Sequence, residues 1–157
     1  MCFDIAMTPA VDSPSDERLV AALREGGYRV TSQRLVLHRV LRELGRHATA
    51  EEVLQAAGPH LPGLALPTVY ATLDLFEQLG VARRIDGAGT AVLYDPRTDA
   101  HQHFRCRRCG RIVDVDAPVD ERRLVAAARA AGLEVDGVEI MLRGVCRDCE
   151  PAQARNS

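Results

Sequence analysis

The sequence predicts an α+β fold in two parts. Four segments before residue 80 repeat apolar residues at helical spacing, two short strand candidates flank Gly87-Ala-Gly89, and two C-x-x-C pairs stand in the second half. Ser15 with Asp16 and Glu17 opens the first helix, Leu19, Val20 and Leu23 form its apolar face, and Gly26-Gly27 stops it. Thr31 opens a second helix, in which Leu37, Val40, Leu41 and Leu44 recur until Gly45. The third begins with a capping box, Thr49-Ala-Glu-Glu52, whose hydroxyl and carboxylate each satisfy a free backbone N–H. It carries Val53, Leu54 and Ala57 to Gly58-Pro59. The fourth spans about 67–80 with Val69, Leu73 and Phe76 inward, and Pro67 suits a first turn, where its missing N–H costs nothing.

Residues 81–85 and 91–94 then read as two strands. Helices followed by a hairpin make a winged helix-turn-helix, with the fourth helix in the major groove and the hairpin over a phosphate backbone. A small helical domain with an incidental hairpin gives the same pattern. Residues 95–100, Asp-Pro-Arg-Thr-Asp-Ala, read as a hinge between domains at 15–94 and 101–150, with loose ends at 1–14 and 151–157. Beyond the hinge, 110–116 is a strand candidate, 119–131 an alanine-rich helix ended by Gly132, and 133–145 one or two further strands.

Net charge is −2, so any nucleic-acid reading must rest on a local surface. No apolar run approaches the roughly 18 residues of a membrane span. Residues 1–14 lack the basic and long apolar stretches of a signal peptide, and C-x-x-C pairs need free thiolates; both point to the cytoplasm.

Two residues between cysteines let one turn aim two thiolates at one tetrahedral ion, so Cys106, Cys109, Cys146 and Cys149 make a four-thiolate zinc site. Gly110 permits the left-handed turn such a knuckle needs. The 36 residues between the pairs make the metal a clamp on a whole folded unit. A buried or disulfide-bonded set would not need the paired spacing, and an iron–sulfur cluster is the other open alternative. Cys2, the fifth cysteine, is given no role.

His101-Gln-His103 stands just before the first knuckle, and residues i and i+2 of an extended segment point the same way. Asp95 and Asp114 flank the pair, and His47 lies before the third helix. Nitrogen and carboxylate donors without thiolate suit iron(II), manganese, nickel or zinc. His38 and His60 read as structural. Zinc deaminases also join histidine to C-x-x-C, but they need His-x-Glu and Pro-Cys-x-x-Cys, whereas here His103 and Arg105 hold those positions.

In order, Tyr28-Arg-Val-Thr-Ser-Gln-Arg34, His47-Ala-Thr-Ala-Glu-Glu-Val53, Pro67-Thr-Val-Tyr-Ala-Thr-Leu73, Gly80-Val-Ala-Arg-Arg-Ile85, His101-x-His103-x-x-Cys106-x-x-Cys109-Gly110 and Gly144-Val-Cys-Arg-Asp-Cys149 resemble the ferric uptake regulator family of bacterial metal-dependent repressors over about 19–149. The resemblance implies a regulator rather than an enzyme, with an N-terminal winged-helix DNA-binding domain and a C-terminal α/β dimerisation domain held by structural zinc. It implies a homodimer on double-stranded DNA with a palindromic operator, away from membranes. Its regulatory site would use His47, Asp95, His101, His103 and Asp114 to hold iron(II) or manganese(II), with zinc and nickel as open alternatives. Tyr70 would contact bases, Thr68 the DNA backbone, Arg29 the minor groove and Arg83 a phosphate.

The chain also departs from the family. Ala71 replaces a longer polar or basic side chain, and Ala65 replaces the usual polar cap of the recognition helix. Ala100, Gln102, Gly137 and Val138 cannot supply the histidines of a third metal site, which is therefore expected to be absent. Three histidines with two aspartates resemble the peroxide-sensing branch more than the iron-sensing one, and in that branch His47 and His101 would be the oxidised ligands. Iron sensing is the alternative, and a zinc-stabilised interaction module without DNA binding the remote one.

Overall fold

The computed structural model describes residues 14–86 and 91–150, so the expected hairpin turn at Gly87-Ala-Gly89 and both termini lie outside the described residues. The chain divides into two compact units between Thr98 and Asp99.

The first unit contains α1 (Pro14–Glu25), α2 (Ser32–Glu43), α3 (Ala50–Ala57), α4 (Leu66–Gln78), β1 (Arg83–Asp86) and β2 (Val92–Asp95). Apolar stripes at helical spacing converge, and Leu19, Leu23, Leu37, Leu41, Val53, Val69, Leu73 and Phe76 are fully buried together. Gly27 takes φ +75°, and the Tyr28 N–H turns back to the Leu23 carbonyl at 2.7 Å, closing α1. Thr31 Oγ1 accepts from the Arg34 N–H at 3.3 Å, and both halves of the Thr49–Glu52 capping box form. Ala65 has the extended backbone of a cap but no side-chain acceptor, so α4 starts uncapped.

Two expectations need correction. The first strand begins at Arg83 rather than residue 81, because the N–H groups of Val81 and Ala82 both go to the Phe76 carbonyl and close α4 instead of joining the ladder. Asp95 belongs to the sheet and not to the hinge: β1 and β2 are antiparallel with Arg83 opposite Asp95 and Arg84 opposite Tyr94.

The second unit contains β3 (Gln102–Cys106), β4 (Ile112–Val115), α5 (Glu121–Ala130) and β5 (Met141–Gly144). Its sheet runs β4-β3-β5, with β3 antiparallel to β4 and parallel to β5. Asp120 caps α5 by accepting from the Arg123 N–H, and 133–145 yields one strand. No residue of α5 is buried, and Val113, Val119, Leu124, Leu133 and Leu142 are exposed. Among the described residues no helix is long and apolar enough to cross a membrane.

Candidate metal centres and nucleic-acid face

The four cysteines are brought together by strand pairing rather than by their spacing alone. Cys106 ends β3 opposite Gly144 of β5, and the Arg107 N–H donates to the Gly144 carbonyl at 2.8 Å, which lays the second knuckle beside the first. All four sulfurs lie within 4.8 Å of one another, and Cys109 Sγ is 3.7 Å from Cys146 Sγ. A Zn–S bond of about 2.3 Å gives a tetrahedral edge of about 3.8 Å, so the sulfurs stand as a zinc ion needs them, well beyond disulfide length. Gly110 at φ +73° lets its N–H return to the Cys106 carbonyl at 3.0 Å, closing the first turn.

The backbone prepares this site for negative charge. Backbone N–H groups of Cys109 and Cys146 pull the Cys106 thiol down to about 6, with Arg108 N–H adding to them. Cys149 is pushed up to about 12 by its neighbouring thiols, chiefly Cys109 and Cys146. Four thiols this close cannot all ionise alone, and a divalent cation supplies the charge that lets them do so. The donor set fits zinc(II).

In the second unit His101 stands just before β3 and His103 within it. His101 and His103 lie two residues apart, with ring centroids 4.5 Å from each other. The β3–β4 register sets Asp114 directly opposite His103, and Asp114 Oδ1 is 3.6 Å from His101 Nε2 and 3.9 Å from His103 Nε2. The His101 Nδ1–H donates to the Asp99 carbonyl at 2.8 Å, which turns Nε2 toward Asp114 as a lone-pair donor. Both imidazoles are buried. In the first unit His47 Nε2 lies 3.7 Å from Asp95 Oδ2, both residues buried. The backbones beside them are locked together: Ala48 N–H donates to the Tyr94 carbonyl at 3.1 Å, and Tyr94 N–H to the Ala48 carbonyl at 2.8 Å. Buried nitrogen and carboxylate donors without sulfur fit a harder divalent ion than the cysteine site does.

The other two histidines part company. His38 is buried, edge-on to Phe76, whereas His60 is exposed and serves no core. Gln102 is structural: its Oε1 accepts from the Ala117 N–H at 3.0 Å.

The residues expected on DNA all lie in the first unit. Thr68 is exposed in the first turn of α4, and Tyr70 is half-buried on the same helix. Thr68 and Ala71 share a groove of about 740 Å³ with Tyr28, Arg29 and Arg34. Two further groups there escaped sequence reasoning. The Arg34 guanidinium donates to the Arg29 carbonyl and lies 5.7 Å from the Tyr28 ring centre, holding the α1–α2 loop. The Tyr70 hydroxyl donates to Glu51 Oε1 at 2.9 Å, raising the phenol; Glu51 is held below the usual carboxylate range by its own backbone N–H and then by Tyr70. A Tyr-to-Glu contact between two helices has no local signal. Arg83 sits at the base of the hairpin and gives Nη2 to the Thr98 carbonyl at 3.1 Å, so part of its guanidinium serves the chain itself.

The model of the ferric uptake regulator family matches residues 25–143. The peroxide-responsive repressor PerR of Staphylococcus epidermidis is 31% identical over 134 residues, covering 85% of this chain and 89% of that protein. The ferric uptake regulator of Pseudomonas aeruginosa, solved with manganese, superposes with a TM-score of 0.67 at 26% identity over 82% of this chain and 97% of its own. That of Helicobacter pylori, in which three functional metal-binding sites were described, gives 0.72 at 20% identity over 88% of this chain and 93% of its own, a likeness of fold alone. The chain belongs to the ferric uptake regulator family.

Proposed function

We propose that this chain is a homodimeric, metal-dependent transcriptional repressor of the cytoplasm that binds a palindromic operator and senses peroxide. The observation that carries the reading is the donor chemistry within each unit: buried His47 beside Asp95 in the first, and buried His101 and His103 beside Asp114 in the second, nitrogen and carboxylate donors without thiolate. An iron(II) or manganese(II) ion that took all five of His47, Asp95, His101, His103 and Asp114 as ligands would couple the first unit to the second. Such tying favours DNA binding only as far as the ion prefers the DNA-binding arrangement, which makes metal and operator affinities reciprocal. Cys106, Cys109, Cys146 and Cys149 hold zinc as architecture. Likeness to peroxide-responsive repressors at 31% identity supports the choice of signal.

Each group then has a task. Thr68 and Tyr70 enter the major groove on α4, Arg29 approaches the minor groove, and Arg83 keeps its remaining donors for a phosphate. The exposed Val113, Leu124 and Leu142 of the second unit supply the apolar surface of the dimer. His47, Asp95, His101, His103 and Asp114 would hold iron(II), which would supply one-electron reduction of peroxide, with His47 and His101 as the ligands open to oxidation. Iron sensing is the second reading, favoured by the likeness to the Pseudomonas ferric uptake regulator at 26% identity.

The test pairs a gel shift with mass spectrometry. Protein loaded with iron(II) should retard the DNA upstream of its own gene, then release it after peroxide as one oxygen appears on a peptide containing His47 or His101. Unchanged mass with persistent binding selects iron sensing. No metal-dependent retardation at all refutes the repressor reading.

A further inference from the structure

A chain of contacts inside the first unit connects the His47–Asp95 pair to the recognition helix. Ala48 and Tyr94 exchange two backbone hydrogen bonds, and each is the immediate neighbour of one member of that pair. Displacing His47 or Asp95 therefore displaces Tyr94. The Tyr94 ring is 1% exposed, within the same core as Leu73 and Phe76 of α4. Its hydroxyl donates to Asp74 Oδ1 at 2.7 Å, a polar link between this strand end and α4. Asp74 lies one turn beyond Tyr70 on α4.

Apolar packing alone lets a helix slide by fractions of an ångström at little cost. A short charge-assisted hydrogen bond from a buried hydroxyl does not, because breaking it strands a desolvated donor. The bond is a strut of fixed length between the strand that carries Asp95 and the helix that carries Thr68 and Tyr70.

We propose that the Tyr94–Asp74 hydrogen bond is the positioning contact through which occupancy of the regulatory metal site sets the placement of α4. The proposal rests on the metal-dependent repressor reading, and it concerns regulation of that same site. Tyr94 is a positioning residue: it is buried in the core and its hydroxyl is given to Asp74.

The experiment uses the full zinc-replete chain and manganese(II), with amide hydrogen exchange across α4 as the first readout and DNA affinity as the second. In the wild type, manganese should slow exchange in α4, and it should tighten DNA binding. Tyr94→Phe, which removes one oxygen, should keep manganese affinity and metal-free DNA affinity within about twofold. It should lose about five- to tenfold of the manganese-induced gain in DNA affinity, together with most of the α4 protection. Asp74→Asn, whose amide oxygen still accepts from the Tyr94 hydroxyl, should retain most of the wild-type response. If Tyr94→Phe folds poorly, Asp74→Ala repeats the test from the half-exposed side of the bond. Equal manganese protection of α4 in wild type and Tyr94→Phe overturns the strut, as does a variant that simply loses manganese. A wild type whose α4 responds to manganese but which never binds DNA supports the strut and overturns the repressor reading.

Discussion

Acidification should destabilise the first unit through His38. This imidazole is 5% exposed, edge-on to Phe76, with Nδ1 4.0 Å from Asp16 Oδ1. Burial, then the Arg42 guanidinium, bring it from 6.5 down to about 4; Arg18 and Arg39 act in the same sense, and Asp16 opposes them. Asp16 cannot compensate fully, because Arg39 already donates to it through Nε at 2.8 Å and through Nη2. The sign follows from which state holds the proton. Between pH 6.5 and 4 the unfolded chain carries a charged His38 and the folded chain a neutral one, so unfolding takes up a proton. The stabilisation is fully present above pH 6.5 and drains away as pH falls toward 4. At about 1.4 kcal/mol for each pH unit, the loss reaches roughly 2 kcal/mol by pH 5. Domains of this size have about 5–15 kcal/mol in total, so the effect is large enough to measure. Urea unfolding of wild type and His38→Gln at pH 7.5, 6 and 5 isolates it, since carboxylates and zinc ligands titrate in both. The wild type should lose about 2 kcal/mol more than the variant across that range. Parallel losses would show that the folded unit accepts the proton near the ordinary histidine value, and the reasoning would fail.

Two further perturbations test the architecture. Ala65→Ser should stabilise the protein by roughly 0.5–1 kcal/mol in the same assay, because residue 65 already has the extended backbone of a cap and lacks only the acceptor. Cys106→Ser should abolish bound zinc by metal analysis and shift the proposed dimer to monomer in size-exclusion chromatography. A zinc-free variant that remains dimeric would remove the structural role of the site.

Much of the fold was legible because its signals are local. Thr31, the Thr49–Glu52 box and Gly27 act within a turn of their own position, so the residues that make each contact are also neighbours in sequence. The same holds for the two knuckles and for His101 and His103, two residues apart where β3 begins. The paired spacing of the cysteines even announced their ion, though only the β3–β5 register decided that the knuckles would meet. What sequence could not decide depends on partners far along the chain. Asp95 reads as hinge until the ladder places it opposite Arg83, and Asp16 reads only as part of a helix start until Arg39 pairs with it. Glu51 on Tyr70 and Asp74 on Tyr94 are single polar contacts between separate elements, chosen by packing and carrying no periodicity. Sequence determined which residues could bind metal and which helix could meet DNA, because donor chemistry and helical spacing are properties of the chain itself. Tertiary structure alone decided how the His47–Asp95 pair connects to that helix, because a hydrogen bond across a core exists only once the core has closed.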